Sequence, residues 1–355
     1  MDIFSYLEGM TTQFGPSGHE YEVSQWLAKQ FEPMVDSIHI DPLFNVIALK
    51  KATRKSDKPA PRVMISAHQD EIALMVSDIL PDGCLRMGQV GGVDPRILPA
   101  STVTVHASLS GEKLLGVIGA ISPHLLKPSD RNRNYLREDL FVDTGLSAQV
   151  VKEKIAVGDL ITLQGKATKL LNDRVAAKTM DDRACIAVML DACERLQTMS
   201  HYCDVYFVCS SQEEVGCKGA QTAAYSVDPH MAYILDVTHA TIPQSRPHTT
   251  SPLDAPCATY GPFIQYKLLN ELKETAKRHG ISLNTEHSTS RTGTDTDTIQ
   301  IARSGVPCVL IDLPLKYMHT AVELLDTKVI IECGRLLAHS LSDMKEGWDD
   351  SLWTL

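Results

Sequence analysis

The spacing of apolar residues changes twice along the chain, and each change predicts a different architecture. Near the start, Val23, Trp26, Leu27 and Phe31 recur at the interval of an amphipathic helix. Ser17-Gly-His-Glu20 just before them predicts a capping box, with Ser17 as N-cap and Glu20 three residues on. Asn45 to Lys50 and Arg62 to Ala67 are short apolar runs that predict strands, and the polar residues 51–60 between them predict a loop. From about residue 73 to 165 the apolar runs are broken by turn signals: Pro81-Asp-Gly83, Gly91-Gly92, Asp94-Pro95, Ser110 to Lys113 and Gly158-Asp159. That texture predicts a small antiparallel barrel or sandwich, with one short helix near residues 147–155. After residue 170 helices and strands alternate. Asp181 to Leu196 reads as a buried helix and Phe263 to His279 as an amphipathic one; Val322 to Met344 reads mainly as a closing helix. Val205 to Cys209, Met231 to Leu235 and Val306 to Asp312 read as buried strands.

The sum is an α/β protein: a three-layer α/β/α sandwich on a mostly parallel central sheet, interrupted by a small, all-β, barrel-like domain. The expected division is residues 1–72 and 166–355 for the sandwich and 73–165 for the insert. A chain of 355 residues is long enough for two such cores. No internal repeat is evident.

Composition narrows the functional classes. The formal net charge is -10 with both signs interspersed, and Arg131, Arg133 and Arg137 form the one local basic cluster, read as a solvated loop, so no nucleic-acid partner is expected. No apolar run approaches the roughly 20 residues of a membrane span. The first residues lack the basic and apolar regions of a signal peptide, which points to the cytoplasm. Nine cysteines at irregular spacings, none in a CxxC pair, suggest reduced buried thiols and neither a zinc knuckle nor a disulfide framework.

Five places put metal-binding residue types at strand ends or sharp turns. His68-Gln-Asp70 ends a predicted strand, where residues i and i+2 face the same side, so Asp70 can accept the second ring N–H of His68 and fix its tautomer. A chance surface HxD explains this pair about equally well when it is taken alone. Asp181-Asp182-Arg183 opens a buried helix; capping needs one aspartate, which leaves the other to face a metal. Glu213-Glu214 follows a buried strand, and adjacent carboxylates there repel unless a cation or proton relieves them. Glu214 suits a metal ligand and Glu213 a general base. Asp236 closes a buried apolar strand, where a carboxylate needs a partner. His319 follows the last strand, and a lone histidine of this kind is more often structural than a ligand.

Together the five are more specific than any one. Carboxylates and imidazoles without thiolates suit a hydrolytic metal centre, and they supply a bridge plus one carboxylate and one imidazole for each of two ions. No GxSxG elbow supports a serine hydrolase. A glycosidase would leave His68 and His319 without a role. A carboxypeptidase or deacylase on the same centre and a scaffold with a vestigial site stay open on the residues alone.

Over nearly its whole length the chain resembles the tetrahedral aminopeptidase family, which includes glutamyl aminopeptidases and members once labelled cellulase M. The likeness is carried by Gly15-Pro-Ser-Gly-His-Glu20, Ala67-His-Gln-Asp-Glu71, Val90-Gly-Gly-Val-Asp-Pro-Arg96, Met180-Asp-Asp-Arg183, Gln212-Glu-Glu-Val-Gly216, Asp236-Val-Thr-His239, Gly293-Thr-Asp295 and His319. The resemblance implies a metallo-aminopeptidase that removes the first residue of short peptides. It implies Asp181 as the bridge between two divalent ions, zinc first with cobalt or manganese as alternatives, one held by His68 and Asp236 and the other by Glu214 and His319. Glu213 would be the base and Asp70 the residue that orients His68. It further implies a barrel domain used for assembly and a hollow homo-oligomer of twelve subunits, a dodecamer. Cys185, Thr296-Asp297 and the loop 249–260 depart from the family pattern without removing a ligand. The sequence leaves the substrate-binding residues open.

Overall fold

The computed structural model describes residues 2–246 and 249–351. They form two compact units: Met1–Asp70, Lys166–Met318 and Val322–Leu355 make the first; Glu71–Gly165 with His319–Ala321 make the second.

The first unit is built on an eight-stranded sheet. Its strands are β1 (Ser37–Ile40), β2 (Val46–Lys50) and β3 (Arg62–His68), then, beyond the insert, β12 (Asp204–Ser210), β13 (Met231–His239), β14 (Cys257–Tyr260), β15 (Asn284–His287) and β16 (Cys308–Leu315), in the order β1-β2-β12-β3-β13-β16-β14-β15. The central β12, β3, β13 and β16 are parallel and buried on both faces, which is why they read as continuous apolar runs rather than alternating ones. Register places Ser210 beside His68 and Asp236 beside Asp312, so polar residues that end these runs gather along one edge of the sheet. Helices α1 (Ile3–Thr11), α4 (Met180–Arg195), α6 (Tyr266–Arg278) and α8 (Thr327–Asp343) pack in one layer, while α5 (Lys218–Val227) and the single turn α7 (Thr296–Ile299) pack together against the sheet. Helix α2 (Tyr21–Phe31) lies on β1 and β2. Helix α4 is apolar on most faces because α1 and α8 cover what β3 and β13 do not.

Two local expectations fail. The expected helix from Val322 starts at Thr327: residues Glu323–Asp326 form β17, with alternating burial, paired to β11 (Arg174–Ala177), which also pairs β10 (Thr168–Lys169). Asp326 ends that strand and caps α8 by accepting the Lys328 N–H. Ser17 is not the N-cap of α2 either. Glu20 occupies that position, and the Ser17 hydroxyl is used elsewhere, as described below.

The second unit is a closed antiparallel barrel of β4 (Ala73–Ile79), β5 (Leu85–Val90), β6 (Thr102–Ala107), β7 (Glu112–Ala120), β8 (Leu140–Asp143) and β9 (Leu160–Leu163), with α3 (Ala148–Lys154) between the last two strands. Alternate residues point inward, so Val103, Val105 and Ala107 of β6 join Leu74, Val76, Leu85, Ile118, Val142 and Ile161 in its core. Closure leaves no free sheet edge. Among the described residues every cysteine is unpaired, all buried except Cys84, and no helix is long and apolar enough to cross a membrane.

Candidate metal centre

Strand β3 delivers His68 to the edge of the sheet, and the turn after it delivers Asp70. The His68 ring is clamped from both sides: Nε2 lies 3.0 Å from Asp181 Oδ1, and Nδ1 lies 3.4 Å from Asp70 Oδ1 and 3.2 Å from the Asp70 carbonyl. Burial alone would depress the imidazole, but the hydrogen bonds to Asp181 and Asp70 and the charge of Glu213 outweigh it and hold its pKa well above the usual range.

Asp70 is buried and does more than orient the ring. It accepts the Ser17 hydroxyl at 2.5 Å, the Glu213 N–H at 3.0 Å and the Glu214 N–H at 3.3 Å. Burial would raise it, but His68, Ser17 and that N–H keep its pKa below the ordinary carboxylate value. One carboxylate therefore fixes both the imidazole and the turn that presents Glu213 and Glu214. Gln212 and Cys217, which flank that turn, both take left-handed backbone conformations, with φ of 56° and 54°.

Helix α4 opens with Asp181 and Asp182, joined by a cis peptide. Glu323 Oε2 accepts the N–H groups of Met180 and Asp181 at 2.6 and 3.1 Å, which anchors that end. Asp182 Oδ2 accepts the His68 N–H at 3.1 Å, while its Oδ1 is buried with no hydrogen-bond partner. Arg183 is fully buried and donates to the carbonyls of Gln69, Met10 and Gln13, tying α1 and the end of β3 to α4. Gly15 is required here: a Cβ would come within 2.8 Å of the guanidinium and 2.5 Å of Val23.

Oxygen and nitrogen donors of His68, Asp182 and Asp236 lie within 4.8 Å of one another, as do those of His68, Asp181 and Glu214. Burial pushes the carboxyls of Asp182 and Asp236 well above the ordinary range, and neighbouring carboxylates add to it. Glu213 stands beside the cluster, its Oε2 3.8 Å from His68 Nε2. Burial, opposed by His68 and reinforced by the charges of Asp295, Glu214 and Asp70, pushes it up to about 8. This donor set fits divalent metal. A buried carboxylate oxygen without a partner and several like charges in one cavity are costly unless a cation neutralises them.

The remaining candidate, His319, stands in the barrel unit. Its Nδ1 lies 2.7 Å from the Gly92 carbonyl oxygen, and a Cβ on Gly92 would sit 2.9 Å from the ring, so the Gly91-Gly92 turn leaves room for the histidine.

Sequence reasoning overlooked Ser17, Glu20, Glu323 and Asp295. Glu20 Oε1 accepts the N–H groups of Gly18 and Gln212 at 2.7 and 3.0 Å; burial and the Asp70 charge bring its pKa to about 7. Asp295 Oδ2 accepts the hydroxyls of Ser66 and Ser210, and burial raises it to about 6. The motifs Gly15-Pro-Ser-Gly-His-Glu20 and Gly293-Thr-Asp295 were the available signals, and they carried no role at the metal centre.

A metal-dependent peptidase is the class this arrangement defines. The profile of the M42 glutamyl aminopeptidase family matches residues 45–336, and the chain belongs to that family. It is similar to the lysyl aminopeptidase of Pyrococcus furiosus, 34% identical over 336 residues that cover 93% of this chain and 94% of that one. Among solved structures it is similar to a TET aminopeptidase from a marine-sediment thaumarchaeon (TM-score 0.91, 28% identity, 99% and 98% of the two chains). It is also similar to an aminopeptidase from the archaeon Desulfurococcus kamchatkensis (TM-score 0.91, 31% identity, 99% and 98%). The chain is thus an aminopeptidase, a metal-dependent hydrolase of peptides.

Proposed function

We propose that catalysis runs on two divalent metal ions, with Asp181 as the bridge, His68 and Asp236 on one ion, and Glu214 and His319 on the other. One observation carries this reading: the donor atoms of His68, Asp181, Asp182, Asp236 and Glu214 converge in two overlapping groups with Glu213 alongside. Bound metal supplies a water of lowered pKa and a Lewis acid for the scissile carbonyl. Glu213, buried and with a high proton affinity, accepts the proton of the attacking water and returns it to the leaving amine. Asp70 holds His68 through Nδ1, which directs Nε2 at the cluster, and holds Glu213 and Glu214 through their N–H groups. Asp182 keeps one oxygen for the His68 backbone and offers the other to the cluster.

Oxygen and imidazole donors accept zinc first, with cobalt and manganese as substitutes. The similarly folded PhTET1-12s is a dodecamer, and by analogy this chain forms a large homo-oligomer of twelve assembled through the barrel unit, where Leu115, Val117, Leu125 and Leu136 are exposed apolar side chains. We place the enzyme in the cytoplasm, in keeping with its reduced cysteines.

The test is initial rate on free-amine and N-acetylated aminoacyl anilides, Lys and Glu among them, before and after chelation, with zinc, cobalt and manganese added back. Turnover confined to free amines, lost on chelation and restored by metal, supports the reading and names the residue preference. Turnover of the acetylated series overturns it, in favour of an endopeptidase if the aniline is released and of a deacylase if acetate is released, on the same centre.

A further inference from the structure

Beside the proposed base lies a thiol that the reaction does not use. Cys217 is buried at the start of α5, and its Sγ is 3.3 Å from Glu213 Oε1 and 3.4 Å from the Thr294 carbonyl oxygen. Donor atoms of Glu213, Cys217 and Asp295 all lie within 4.8 Å of one another. Asp295 is only 2% exposed, and with both serine hydroxyls on Oδ2, its buried Oδ1 has no hydrogen-bond partner. A tetrahedral ion with one sulfur ligand at about 2.3 Å and oxygen ligands near 2.1 Å sets sulfur and oxygen about 3.6 Å apart. The thiol and Glu213 already stand near that separation, and an unsatisfied oxygen waits in the same group.

We propose that Glu213, Cys217 and Asp295 form a separate cation site for a thiophilic divalent ion of the zinc–cadmium type, and that its occupation inhibits the enzyme by taking Glu213 out of proton transfer. The site itself rests on geometry; its inhibitory consequence rests on Glu213 being the base. On binding, the Cys217 thiol releases its proton to solvent, the thiolate and two carboxylates form three bonds to the ion, and water completes the shell. The thiolate sets this site apart from the oxygen- and imidazole-only cluster and favours softer ions there. Because Glu213 cannot both bind the ion and accept a proton from water, excess zinc inhibits an enzyme that its resident metal activates.

The experiment titrates cadmium into the metal-loaded enzyme and follows both the ultraviolet cadmium–thiolate absorption and turnover. Wild type is expected to take up one additional ion, gain the thiolate band and lose activity in step with it. Cys217→Ser and Cys217→Ala should lack the band and need about tenfold or more cadmium for the same fractional inhibition. Asp295→Asn should keep the band but saturate at higher cadmium. A band absent from wild type, or undiminished in both Cys217 variants, overturns the site. A Cys217-dependent band with full turnover leaves the site standing and overturns the role of Glu213 as base.

Discussion

Two buried aspartates, one in each unit, show what separates a structural carboxylate from one kept for a ligand. Asp159 in the barrel is 5% exposed and accepts the N–H groups of Ala156 and Ser108 at 2.8 and 3.1 Å, both through Oδ2. It ties a turn together through these two donors. Asp182 is fully buried, keeps an oxygen without a partner and shares its cavity with Asp181 and Asp236. Both are buried and the partners differ. At Asp159 the barrel meets a buried charge with backbone donors, while the sheet edge gathers carboxylates that oppose one another until a cation arrives.

The contrast can be tested from its strongest consequence downward. Glu213→Gln should lower kcat by about 10²- to 10⁴-fold while metal content, read by elemental analysis, stays at the wild-type level. Loss of metal along with activity would move Glu213 from base to ligand. Asp70→Asn should weaken metal binding by about 10- to 100-fold, because an amide neither fixes the His68 tautomer nor carries charge; competition with a chelator measures it. Asp182→Asn and Asp159→Asn form the direct comparison, by denaturant unfolding with and without chelator. The first should leave the metal-free protein as stable or up to about 1 kcal/mol more so while impairing metal retention, since it replaces a carboxyl whose anion burial already disfavours. The second should cost about 1–3 kcal/mol with or without metal, since it weakens satisfied hydrogen bonds. If both variants lose stability alike in chelator, the distinction between the two aspartates fails.

The smallest effect concerns pH. His201 is buried away from the metal centre with Nδ1 2.8 Å from the Cys203 carbonyl oxygen, and burial depresses its pKa below the ordinary 6.5. A depressed folded-state pKa means that the unfolded chain binds the proton more readily. The contribution of His201 is therefore fully present above the ordinary value and is lost as pH falls from there through the folded pKa. His201→Gln should flatten stability as pH falls below about 6.5, measured by urea midpoints in chelator.

The architecture was legible because its signals are periodic. Strands buried on both faces and strands that alternate look different in sequence, and Val205 to Cys209 and Thr102 to Ala107 show the two textures. Strand β17 was missed because Glu323 to Asp326 is only four residues long and runs straight into α8. At the site, His68 and Asp70 stood out because i and i+2 share a face of a strand, and the two acidic pairs because paired carboxylates need a reason. Ser17, Glu20, Asp295 and Glu323 could not be read in the same way. Each has a partner far along the chain, and nothing in local spacing separates Ser17 as an N-cap from Ser17 as a donor to Asp70. The capping-box pattern was present and the structure used it otherwise.

The Asp70 clamp has a consequence for how the enzyme comes into being. It joins Ser17 to a carboxylate 53 residues on and to N–H groups a further 143 and 144 residues away, and His68 meets Asp181 across 113 positions. Contacts so distant in the chain form late, after the loops between them have closed. A ribosome-bound fragment ending before Glu213 holds His68, Asp70 and Asp181 but neither the proposed base nor Asp236. On the proposed assignment, the peptidase is latent throughout most of its own synthesis and becomes active only when the last central strands dock.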